Sequence, residues 1–105
     1  MAFTGNEDHT ITLLEAVELT KIFRDQASSG AVLGGFFGET CLQNILNQEG
    51  CVGIRCYYGL SNEGTPHFVL VGVDSEGIDL VDGILAERES PCPPYCDNTS
   101  PLVVD

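Results

Sequence analysis

The chain has 105 residues, of which 16 are acidic and 4 basic, for a formal net charge of −12. One domain fits that length, and a composition 43% hydrophobic and 19% charged is globular rather than disordered. The four cations, Lys21, Arg24, Arg55 and Arg88, are scattered, which excludes nucleic-acid binding and docking on anionic lipid, since both need clustered Lys and Arg.

Residues 1–10 are polar and are expected to form a flexible arm. They carry neither a basic segment nor an apolar core, so a secretory leader is not expected. A first helix follows. Thr12 and Glu15 have the spacing of a capping box, and from there to about Gln26 the apolar residues Leu13, Ala16, Val17, Leu19 and Phe23 gather in one arc at helical spacing. Ser28-Ser29-Gly30 ends it. The apolar, glycine-rich stretch 30–38 is too short to span a bilayer. A second helix is expected from about Glu39 to Gln48, with Cys41, Leu42, Ile45 and Leu46 facing inward and Gly50 closing it.

The period then changes to 2. Residues 51–59, 67–73 and 78–81 read as three strands, joined by the glycine-containing turns 61–64 and 75–77. The expected fold is α+β, two helices packed on a three-stranded antiparallel meander in the order ααβββ. The predicted domain runs over 11–90, and residues 91–105 form a Cys/Pro-rich tail. Pairing Leu60 with Thr65 places Val52, Ile54, Cys56 and Tyr58 on one face with Val73, Val71, Val69 and His67, joined by Val81. The opposite face then holds Cys51, Arg55, Tyr57, Phe68, Leu70, Ile78 and Leu80, too apolar to stand bare in water. Either the tail or a second copy of the chain is expected to cover it. A one-residue slip would exchange the two faces.

The residue pattern that most suggests chemistry is Pro91-Cys92-Pro93-Pro94-Tyr95-Cys96. A C-x3-C pair can supply two ligands of a zinc site, with the rest drawn from His67, Cys51, Cys56 or His9. It can instead close a small disulfide loop, act as a redox pair, or pack as apolar tail. Cys41, Cys51 and Cys56 fall on element faces and read as small buried hydrophobes. An odd total of five cysteines fits a reducing cytoplasm better than a disulfide framework. A Cys56–His67 nucleophile pair is conceivable in this register, but its apolar setting disfavours a thiolate. The glycines at 30, 34, 35 and 38 match no phosphate-binding motif. The run Asp74-Ser-Glu-Gly-Ile-Asp79 lacks the ligand order of a calcium loop and reads as a hairpin. Asp79, Asp82, Glu87 and Glu89, with Arg88, read as a solvated charged edge.

Cys51-Val-Gly-Ile-Arg-Cys-Tyr-Tyr-Gly59, Leu70-Val-Gly-Val-Asp-Ser-Glu-Gly77 and the Cys-Pro-Pro tail resemble a group of small bacterial proteins that carry no established activity, over roughly residues 11–96. The resemblance implies a cytoplasmic bacterial protein and adds no catalytic residue. The expected function is therefore a non-enzymatic interaction or scaffold protein, a homodimer joined through the second sheet face. The alternative is a small zinc-type protein using Cys92, Cys96 and His67, and a third reading is an enzyme with a cysteine nucleophile. The acidic residues lie mainly outside the strands and read as a solubility shell.

Overall fold

A computed structural model describes residues 1–105. Seven elements follow one another: α1 (Leu13–Gln26), β1 (Gly34–Phe36), α2 (Glu39–Leu46), β2 (Cys51–Leu60), β3 (Pro66–Asp74), β4 (Leu85–Ala86) and β5 (Ser90–Cys92). This is an α+β chain with two helices, an antiparallel three-stranded sheet in the order β2-β3-β4, and a two-stranded sheet of β1 and β5. The residues divide into two compact units, one of Met1–Asp8 and Phe37–Glu89, the other of His9–Phe36 and Ser90–Asp105.

In the first unit the long β2–β3 hairpin carries α2. The turn glycines Gly64 and Gly77 both take positive φ, 83° and 87°, a conformation that costs glycine little. The pairing differs from the expected one. Cys51 faces Asp74, but Gly53 faces Val73, so Val52 is an extra residue on β2; from there the register runs Ile54–Gly72, Cys56–Leu70, Tyr58–Phe68 and Leu60–Pro66. Such a bulge shifts the pairing by one residue and exchanges the faces of one strand relative to the other. Ile54, Cys56 and Tyr58 therefore share a face with Phe68, Leu70 and Gly72, whereas Arg55 and Tyr57 lie with His67, Val69, Val71 and Val73. The expected grouping of Ile54, Cys56 and Tyr58 with Val71, Val69 and His67 is corrected accordingly.

α2 packs on the first of these faces, and Gly72 makes room for it. A Cβ at Gly72 would lie 3.3 Å from Cγ2 of Ile45, 3.0 Å from Sγ of Cys51 and 2.8 Å from Nε2 of Gln48. Ile45 is fully buried there, and with Leu70, Val71 and Val73 it forms the buried hydrophobic core. Gln48 ties the helix end to the chain beyond the hairpin. Its Nε2 donates to the Ile45 carbonyl at 2.8 Å, and its Oε1 accepts from the Ile84 amide at 2.9 Å.

The third strand is not where alternation placed it. Residues 78–81 give only an isolated bridge between Val73 and Asp79, and β4 instead pairs Leu85 with Val71 and Ala86 with Leu70. The acidic turn has the hairpin form, with Oδ1 of Asp74 accepting from the amides of Glu76 and Ile78. The first residues of the chain join the same unit. The amides of Ala2 and Phe3 both bond the Ser75 carbonyl, at 2.7 and 3.0 Å, and the Phe3 ring lies 6.0 Å from the Arg55 guanidinium. The arm thus occupies part of the sheet surface around Arg55.

In the second unit α1 has the expected capping box. The Thr12 hydroxyl accepts from the Glu15 amide at 3.1 Å, and the Glu15 carboxylate accepts from the Thr12 amide at 3.1 Å. The expected buried stripe is not seen: no residue of α1 is buried, and Leu13, Leu19 and Phe23 are each more than half exposed. Its least exposed positions are Ala16, Val17, Thr20 and Arg24. Arg24 donates to the Leu102 carbonyl at 2.9 Å and to Asp105 at 2.6 Å, and so ties the end of the tail to the helix. The glycine-rich stretch supplies β1, whose Gly34, Gly35 and Phe36 pair with Cys92, Pro91 and Ser90.

Candidate functional site

The residues expected to carry chemistry fall into two groups. Cys92 and Cys96 are joined by a disulfide, with Cα atoms 4.8 Å apart. β5 ends at Cys92, whose carbonyl accepts from the Leu33 amide at 2.6 Å, and the Tyr95 amide turns back to the Pro91 carbonyl at 2.9 Å. The bridge closes this turn. In the bridged form neither sulfur carries the thiolate that a metal ligand must be.

His67 lies in the other unit, near the start of β3 and opposite Gly59. Cys56 faces Leu70 on the other side of the sheet, so the slip in register separates the pair considered as nucleophile and base. Partial desolvation, and then the charge of Glu89, push the Cys56 thiol above its ordinary value of 9.0, the opposite of what activates a thiolate. Cys41, Cys51 and Cys56 are free; Cys56 is exposed and the other two are half-buried.

What His67 does meet are two residues assigned by the sequence to a solvated edge. Its Nδ1 lies 3.1 Å from Oε1 of Glu87 and 3.3 Å from Oε1 of Glu89. The β3–β4 register explains the meeting. Pairing of Ala86 with Leu70 and Leu85 with Val71 brings the residues after β4 alongside the start of β3, and beyond Ala86 the chain turns, the Glu89 amide bonding the Glu87 carbonyl at 2.6 Å. The i, i+2 spacing of the two glutamates was the available signal, but nothing around them reads as a strand, so the partner could not be assigned. Asp79, placed on the same edge, is also engaged, accepting from Arg55 and from the Tyr57 hydroxyl.

A third feature is the open side of the hairpin. β2 is the edge strand of its sheet, ten residues long with Arg55 its single charged residue. Near its end Tyr58 is 92% and Leu60 75% exposed; the Tyr58 and Phe68 rings stand 5.9 Å apart. No helix is long and apolar enough to cross a membrane. No protein-family model, curated protein or solved structure matches this chain.

Proposed function

We propose that the protein is a non-enzymatic interaction module that works as a homodimer, two copies meeting along β2. The supporting observation is the character of that strand: a long sheet edge with one charge, no proline, and two large apolar side chains, Tyr58 and Leu60, standing in solvent. Edges of this kind are normally blunted by charge, proline or shortness, because their free backbone groups pair readily with another strand. A second copy is the occupant that the charge distribution favours. Two chains of net charge −12 repel, so they can meet only where acid is sparse, and β2 carries no acidic residue. Antiparallel addition of β2 to its own copy about a two-fold axis satisfies both backbones with one self-complementary surface. This reading keeps the homodimer expected from the sequence and moves its contact from the second sheet face to the β2 edge, which the charge distribution favours.

Sedimentation velocity at tens of micromolar, in physiological salt, tests this reading. The expected species has twice the mass of the chain, and Tyr58→Lys, which places a charge on the edge, is expected to return it to a monomer with an unchanged circular dichroism spectrum. A wild-type protein that sediments as a monomer across this range overturns the proposal.

A further inference from the structure

We propose that His67, Glu87 and Glu89 form a binding site for one divalent first-row transition cation of the zinc type. Independent features of the site point to a ligand rather than to a solvated charge cluster.

The first is spacing. Zinc lies about 2.0–2.2 Å from imidazole nitrogen and carboxylate oxygen, and two ligands at that distance on a tetrahedral ion stand about 3.4 Å apart. Nδ1 of His67 is 3.1 and 3.3 Å from the two carboxylate oxygens, and all three ligand atoms lie within 4.8 Å of one another. The three atoms are thus close enough to share one ion.

The second is an orphaned nitrogen. Nδ1 of His67 is buried and has no hydrogen-bond partner, although two carboxylates lie within reach. The ordinary alternative is an imidazolium sharing its N–H with the glutamates, and it requires an aligned N–H···O bond. Nδ1 makes no such aligned bond to either carboxylate, which leaves it free to meet a group lying between the oxygens.

The third is the burial of Glu89. Its side chain is 4% exposed, and within the unit no hydrogen bond engages its carboxylate. Sequestering a carboxylate beside a second one is costly unless a cation compensates. Lys and Arg do not serve. Arg55 is committed to Asp79, and Arg88, although it lies between the two glutamates in sequence, is exposed and forms no ion pair with either. The donor set, one imidazole and two carboxylates, suits zinc, manganese or ferrous ions and not soft cuprous ion. His67 and Glu87 remain partly open to water, which gives the ion an entry path and leaves a coordination position for solvent. Because the ligands come from both strands, the ion would clasp the segment after β4, paired only through Leu85 and Ala86, onto β3.

The test uses the full chain, freed of metal with a chelator and titrated with zinc by isothermal calorimetry. Manganese and magnesium serve as further titrants, and cobalt as an optical probe. The expected result is one zinc per chain, weak or absent magnesium binding, and a cobalt spectrum without the intense near-ultraviolet charge transfer of thiolate ligands. Glu87→Gln combined with Glu89→Gln, nearly isosteric changes, is expected to weaken zinc by about a hundredfold or more, since even residues behind a metal ligand are worth 10–100-fold. Cys92→Ser with Cys96→Ser is expected to leave it unchanged. Circular dichroism of each variant separates loss of binding from loss of fold; should the double glutamine variant unfold, His67→Gln replaces it. Absence of zinc binding overturns the proposal. So does binding that survives the glutamine changes and vanishes with the cysteines, which would return the metal to the C-x3-C pair.

Discussion

Replacing Ile45 by alanine probes the one contact on which the first unit is built. Ile45 is fully buried, and its Cγ2 methyl occupies the space that Gly72 leaves free on the sheet. The substitution removes about three carbon groups, worth about 0.8 kcal/mol each in transfer from water, and leaves a cavity that a sheet floor cannot collapse to fill. Together the terms give about 2–5 kcal/mol. A chain of this length has about 5–15 kcal/mol in total, so the variant should fold, but with a large fraction of its stability gone. In urea, with a slope of about 1–3 kcal/mol per molar for a small protein, the midpoint is expected to fall by at least about 0.7 M. Leu19→Ala, on the exposed side of α1, is the control and should cost less than about 0.5 kcal/mol. Equal effects of the two changes, or a cost at Ile45 below about 1 kcal/mol, would refute the docking of α2 over Gly72.

Two further outcomes follow from charge. With 16 acidic residues against 4 basic ones, most carboxylates have no cation beside them, so screening should stabilise the fold. The melting temperature is expected to rise as salt shortens the screening length from about 30 Å at 0.01 M to about 8 Å at 0.15 M, and a flat or falling profile would contradict this. The second concerns Glu15, whose carboxyl is held below its ordinary value of 4.5 by hydrogen bonds from the Thr12 amide and then the Thr12 hydroxyl. A depressed folded-state value means its stabilisation is present above 4.5 and is lost as pH falls through the lower folded value. Acid titration of helicity by circular dichroism should therefore show a loss in that window that Glu15→Gln lacks, and superimposable curves would exclude the box as its source.

Local rules are legible in this sequence, and long-range ones are not. Thr12 and Glu15 define a helix start because both partners lie within one turn, and Gly64 and Gly77 mark turns because the turn itself demands positive φ. The register could not be read so directly. Either pairing of residues 51–60 with 66–74 brings apolar side chains together on both faces, so hydrophobicity does not choose between them; the bulge at Val52 does. The third strand was misplaced for a related reason. Ile78, Leu80 and Val81 alternate like a strand, but their pairing with β3 stops at a single bridge between Val73 and Asp79, the chain turns at residues 81–82, and the next stretch of the β3 edge goes to Leu85 and Ala86. In α1, helical periodicity was present without burial: the tail is held by Arg24, and the amphipathic arc does not say what, if anything, covers it.

The candidate metal ligands show the same limit. His67 stood out because a lone histidine at a strand start invites a role, and the cysteines stood out because C-x3-C has a form recognisable in one dimension. Glu87 and Glu89 have no such form; in an acidic chain they are two carboxylates among 16. Their meaning comes from a strand twenty residues away, which turns an alternating Glu-Arg-Glu into one buried and one half-exposed carboxylate beside an imidazole. The strong negative charge first read as a solvent shell thus acquires a second consequence. It raises the local concentration of cations around the one place where two carboxylates and a histidine converge, so shell and site would act together: the first gathers ions without selecting among them, and the imidazole among the carboxylates selects.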